Sequence, residues 1–160
     1  MRHLFVTHVR PILEYCSCVW NTGYLGDLKL LESVQRRWTK EVDGLSSRPY
    51  SERLRALDLF SVRGRLLRCD LLKVWKCFSG VLCFEPSALF ELAPQMGTRG
   101  HSLKLVVPRA GLDCRRRFFS VRVVELWNSL PQHVVCATTV GSFKAGLRDA
   151  LGNDLFSFVE

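Results

Sequence analysis

Apolar residues recur along this chain mostly at three- and four-residue steps, the spacing of helices rather than of strands. Leu28, Leu31, Val34, Trp38, Val42 and Leu45 follow it, while Lys29, Ser33, Arg36 and Lys40 form a stripe on another face. The pattern predicts an amphipathic helix with one buried side and one basic side. Gly44 and the SSRP run from Ser46 to Pro49 stop it, and Ser51 stands where it would cap a short helix through Leu54 and Leu57. Between Val62 and Phe78, the residues Leu67, Leu71, Val74, Trp75 and Phe78 share one arc, with Arg65, Arg68 and Lys76 off it, and Gly80 ends the pattern. Upstream, the apolar stretch from Phe5 to Trp20 contains Pro11, so a helix there should start or kink at the proline and leave by a turn over Asn21 to Gly26.

From Gly80 to Gly111 the composition loosens, with Pro86, Pro94 and Pro108 and glycines at 97, 100 and 111. A connector is expected here, with at most a short helix near Ser87 to Leu92 and a short strand over Leu103 to Val107. Beyond it, Val123, Leu126, Trp127 and Leu130 mark the buried face of a helix ending at Pro131. A last helix should begin after Thr138 or Thr139, bury Val140, Phe143, Leu147 and Leu151, and close at Gly152. The expected fold class is mainly α: a helical bundle with a short β segment in the connector between two helical lobes. The boundaries fall at residues 1–80, 81–112 and 113–160.

At 160 residues the chain has room for one ordinary domain or two small lobes with a real core. Its 48% hydrophobic and 24% charged residues are globular values, which excludes collagen-like and low-complexity classes. A formal net charge of +8 favours an anionic partner. No apolar run approaches the roughly 20 residues that span a bilayer, so no membrane association is expected. Seven cysteines, an odd number, and an opening without a signal-like apolar core point to a reduced, intracellular chain, in nucleus or cytoplasm. Cys16, Cys69, Cys77, Cys83 and Cys136 are then expected as small buried hydrophobes.

Most catalytic chemistry has no visible home. Neither G-x-x-x-x-G-K-[ST] nor G-x-G-x-x-G occurs, so no backbone cradle for a nucleotide is expected. There is no C-x-x-C, Cys16 and Cys18 would point to different helix faces, and His3 and His8 miss the i,i+4 spacing, so no metal is expected. A G-x-S-x-G elbow is absent and no two acidic residues are adjacent, Asp149 and Asp154 being five apart, so no catalytic residues and no cofactor are expected.

One set of segments carries a resemblance. RPILEYCSCVW from Arg10 to Trp20 resembles the "R-P-x-L-E-Y-C-x-x-V-W" segment that follows the palm in reverse transcriptases of LINE (non-long-terminal-repeat) retrotransposons, jockey-like elements among them. LLESVQRRWTK from Leu30 to Lys40 is similar to that family's "L-L-E-x-V-Q-R-R-x-T-K" helix, and YSERL from Tyr50, with Leu57 and Leu59, to its "Y-x-E-R-L-x-x-L-x-L" turn. RLLRCDLLKVWK from Arg65 to Lys76 resembles "R-R-x-R-G-D-L-I-x-x-Y-K", with Cys69 where a glycine is common. TRGHSLKL from Thr98, FFSVRVVELWNSLP from Phe118, and Ser142 to Lys144 with Leu147 are similar to its C-terminal segments, so the likeness runs from about Leu4 to Leu151.

The resemblance implies a non-catalytic, thumb-like part of an RNA-directed DNA polymerase, a truncated element or a partial gene. Family polymerases hold two metal ions on palm aspartates that include a Tyr/Phe-x-Asp-Asp turn. This sequence has no Asp-Asp pair, and it resembles neither that palm nor the family's endonuclease. The expected partner is an RNA–DNA or DNA duplex, gripped through its phosphates independently of sequence, and the resemblance adds the missing palm as a second. The candidate contacts are Lys29, Arg36 and Lys40, then Arg65, Arg68, Lys73 and Lys76, then Arg115, Arg116 and Arg117. Trp20, Trp38, Trp75 and Trp127 read as core more readily than as base-stacking platforms. The alternative reading is a helical protein-protein interaction module that binds no nucleic acid.

Overall fold

The computed structural model describes residues 2–83, 85–94 and 100–156. Gly97, Thr98 and Arg99, and so the start of the TRGHSLKL segment, lie outside the described residues. The fold is mainly helical. Among the described residues extended pairing is confined to one antiparallel bridge, Leu92 with Leu105, flanked by hydrogen bonds from Ala93 N to Lys104 O and from Val106 N to Glu91 O, both 2.8 Å. That bridge is what becomes of the strand expected over Leu103 to Val107. The chain forms two compact units, one taking residues up to Cys69 with the segment from Leu151 onward, the other Asp70–Ala150.

In the first unit the chain opens as α1 (Arg2–Leu4), widens into a π-helical stretch over Phe5–Val9, and continues as α2 (Arg10–Glu14). The widening ends just before Pro11, which sits in the first turn of α2, so of the two expected outcomes the helix restarts at the proline. Cys16 takes a left-handed conformation (φ 51°), which separates α2 from α3 (Ser17–Trp20). Helix α4 (Leu25–Lys40) starts inside the exit turn drawn over Asn21 to Gly26 and ends short of Val42 and Leu45. Helix α5 (Tyr50–Ala56) begins after Pro49, and Ser51 does not cap it.

The buried stripe of α4 is not the apolar one. Leu28, Glu32, Gln35 and Thr39 are buried, at i, i+4, i+7 and i+11, whereas Val34 is 43% exposed. Hydropathy rotated the expected arc toward Val34 because it counts Glu32, Gln35 and Thr39 as solvent-facing. Leu28 packs with Val62 and Leu66 of α6 (Val62–Phe78), with Leu13 and Leu31 against them, and Phe5 stacks on half-buried Trp38 at 4.3 Å between ring centroids. Leu66 takes the fully buried place that periodicity assigned to Leu67.

The second unit is built on aromatic rings. Its helices are the later part of α6, α7 (Asp113–Arg116), α8 (Phe119–Arg122), α9 (Val124–Ser129), α10 (Gln132–Val135) and most of α11 (Val140–Leu151). Phe143 lies 5.3 Å from Trp75 and 6.4 Å from Trp127, and Phe78 lies 6.1 Å from Trp127 and 6.2 Å from Phe90. Trp75 and Trp127 are therefore core residues. A reciprocal pair starts α11: Ser142 N donates to Thr139 Oγ1 (3.1 Å) and Thr139 N to Ser142 Oγ (3.2 Å), a capping box with serine in the fourth place.

The cysteine expectation fails at most positions. Cys77 is buried, but Cys16, Cys83 and Cys136 are exposed and Cys69 is half-buried. Cys16 stands at the break between α2 and α3 and Cys136 at the end of α10, whereas Cys83 lies in the irregular stretch after α6.

Candidate nucleic-acid interface

The segments that resemble the reverse transcriptases meet one another as polar pairs. In the first unit, Arg65 of α6 donates from Nε and Nη2 to the two oxygens of Glu14 on α2, at 2.7 and 2.6 Å. Glu32 and Gln35 of α4 meet Tyr50 of α5: the Tyr50 hydroxyl donates to Glu32 and accepts from Gln35 Nε2 (3.1 Å). Glu32 also accepts from the first amides of α6, Val62 N at 3.1 Å and Arg63 N at 3.3 Å, which caps that helix from another element. Burial pushes the Glu32 carboxyl above its usual range, although Tyr50 and these amides pull the other way.

The same holds in the second unit. Asp70 accepts from Arg122 Nε (3.0 Å) and Nη2 (3.2 Å). His101 Nε2 bonds the Trp127 carbonyl at 2.9 Å, so it carries the proton, and Trp127 Nε1 donates to Leu103 O at 2.8 Å. Asn128 closes both backbone groups of Leu105, at 2.8 Å each. These side chains are committed to holding elements together. Sequence reasoning passed over Glu14, Asp70 and Arg122 as partners because the ion pairs join residues more than 50 positions apart.

The basic candidates divide accordingly. Lys29 and Lys40 are exposed on one face of α4, and half-buried Arg36 between them lies 4.8 Å from the Tyr50 ring centroid. This is the basic stripe that the sequence predicts. Arg65 is different: its guanidinium is occupied by Glu14, and its side chain is only 17% exposed, so its assignment as a phosphate contact is corrected to that of an internal ion pair. Arg68 is half-buried, 5.4 Å from the Phe60 ring centroid, and its buried Nε has no hydrogen-bond acceptor among the described residues.

Arg10, which the sequence did not single out, reaches Glu14 at 3.5 Å. Burial lowers the pKa of both Arg10 and Arg68, and the Arg65 charge adds to the effect. Arg65 moves up instead, because burial is outweighed by its hydrogen bonds to Glu14 and by that carboxylate's charge.

In the second unit Lys73 is exposed and Lys76 half-buried on α6. Arg115 and Arg116 are exposed, Arg115 lying 5.1 Å from the Phe118 ring centroid and Arg116 donating to Ala110 O at 2.9 Å. Arg117 is tied to Asp113 at 2.8 Å. No group of three or more His, Cys, Asp or Glu side chains able to hold a metal occurs among the described residues. None of the helices, among the described residues, is long and apolar enough to cross a membrane. Comparison with protein-family models, curated proteins and solved structures finds no match.

Proposed function

We propose that this chain grips a nucleic-acid duplex in the manner of a reverse-transcriptase thumb, without polymerase chemistry of its own. The reading is carried by the basic stripe of α4, where Lys29, Arg36 and Lys40 lie on one face beside the buried polar arc. It is supported by the ordered resemblance to LINE-type reverse transcriptases and by the net charge of +8. The contacts would be to phosphates and therefore indifferent to sequence. Arg115, Arg116, Lys73 and Lys76 are the cations that the second unit offers to the same kind of partner.

The test is a salt titration of RNA–DNA duplex binding by the wild type and by a Lys29→Glu, Arg36→Glu, Lys40→Glu variant. Each neutralised phosphate contributes about −0.9 to the slope of log K against log salt, so loss of three contacts should flatten it by about 3. Unchanged helicity with a flattened slope is the expected result. Duplex binding that survives the triple reversal overturns it.

A second reading, a helical interaction module, is favoured by one observation. Ile12, Tyr15, Val19 and Leu30 are 78%, 77%, 80% and 71% exposed, large apolar side chains that a partner surface could cover. Under that reading the duplex does not bind even at low salt.

A further inference from the structure

Two guanidiniums of the first unit, Arg65 and Arg10, meet the Glu14 carboxylate, and only Arg65 is hydrogen-bonded to it. Both Glu14 oxygens accept from Arg65, and the Cys69 thiol adds a weak contact to Oε2 at 3.9 Å. Arg10 reaches the same carboxylate only at 3.5 Å through Nε. Arg68 stays over Phe60, with its Nε buried and no acceptor found for it among the described residues. The Glu14 charge is felt at both Arg10 and Arg68, but in each it is outweighed by burial and by the neighbouring Arg65 charge. Cations held half-buried beside one another are costly unless an anion joins them, and guanidinium forks match an oxyanion that offers several acceptor oxygens.

We infer that Arg10 and Arg68 form a phosphate site of the first unit, beside the Glu14–Arg65 pair that positions them, and turn the outer N–H groups of their guanidiniums to the oxyanion. Glu14 and Arg65 are positioning residues; Arg10 and Arg68 make the contacts. The chemistry is common to free phosphate and to a strand phosphate, and the second source rests on the proposed duplex grip. Arg10 and Glu14 come from one segment of the resemblance and Arg65 and Arg68 from another, so the site exists only once α2 has packed beside α6.

The experiment titrates inorganic phosphate into the full chain at constant ionic strength, followed by calorimetry and 31P NMR. The wild type should show saturable binding. Arg68→Met and Arg10→Met should each weaken it at least tenfold, Arg68→Lys should fall between, and Arg48→Gln, an exposed arginine of the same unit, should leave it unchanged. Circular dichroism checks the fold, and Arg10→Met decides the matter if Arg68→Met does not fold.

Absence of saturable binding, or wild-type affinity in both methionine variants, overturns the site. Repeating the titration with an RNA–DNA duplex separates the sources. If Arg68→Met loses duplex affinity as well, the occupant is a strand phosphate; if it loses only phosphate, the occupant is free phosphate. Loss of duplex binding in the α4 variant with phosphate binding intact would leave this site standing on its own, and a wild type that takes phosphate but no duplex would remove the thumb reading alone.

Discussion

Asp70→Asn tests whether burial or pairing rules the ion pair of the second unit. Asp70 is 4% exposed and accepts two hydrogen bonds from Arg122, yet burial raises its pKa from 3.8 to about 6, with the Arg122 charge and hydrogen bonds pulling the other way. A carboxyl whose folded pKa lies above its unfolded value binds more protons in the folded state between the two values. Stability then rises as pH falls from above 6 toward 3.8, and at higher pH that gain is absent. The whole shift corresponds to ~3 kcal/mol, and the part crossed between pH 7 and pH 5 to about 1 kcal/mol.

Asn cannot titrate, so the difference between wild type and Asp70→Asn isolates this group from the other carboxyls. Urea melts at pH 7 and pH 5 should show the variant's deficit larger at pH 5 by about 1 kcal/mol. A deficit that shrinks on acidification would mean that Arg122 holds the carboxyl below its free value and that burial is the lesser force. A deficit independent of pH would mean that Asp70 has the same pKa folded and unfolded.

Two further substitutions test packing. A Cβ built on Gly64 would stand 2.5 Å from the Leu155 carbonyl oxygen and 2.8 Å from its Cα, backbone that cannot rotate away, so Gly64→Ala should destabilise the first unit by about 1–3 kcal/mol. Amide exchange at Ser61, which donates to that carbonyl at 2.9 Å, should accelerate, and unchanged exchange would show the contact to be dispensable. Trp127→Ala removes a fully buried ring that touches Phe78, Phe143 and His101 and donates to Leu103 O; a loss of about 3–5 kcal/mol is expected in a denaturant melt, and a loss below 1 would contradict the aromatic core.

Helix positions were legible because a period of 3.6 survives single exceptions. α6 ends before Gly80, which takes φ 70°, and α11 starts at Val140, both as the pattern predicts. Which face of α4 is buried was not legible, since the buried arc contains Glu32, Gln35 and Thr39, whose partners lie on α5, at Phe60 before α6, at the start of α6, or within α4 itself. Nothing local to α4 marks Glu32 as a residue that caps α6 thirty positions later. The basic stripe could be read because lysine and arginine on an exposed face need no partner to be recognised. The fate of Arg65 could not, because it depends on Glu14, 51 residues away.

This division bears on what the resembling segments mean. Glu14, Glu32, Gln35, Tyr50, Asp70, Arg122, Trp127 and Asn128 belong to those segments, and each is engaged inside its own unit. A side chain whose hydrogen bonds are taken by a neighbour cannot present them to a ligand without breaking that bond. The segments therefore report the fold more directly than the contact surface, and the surface is to be sought among cations outside the hydrogen-bonded pairs, Lys29 and Lys40 of α4 first among them. Substituting a paired residue should lower binding only as far as it lowers stability, whereas substituting Lys29 or Lys40 should lower binding with the melt unchanged. Measured side by side, the two quantities separate the residues that build this chain from those that would hold a polyanion.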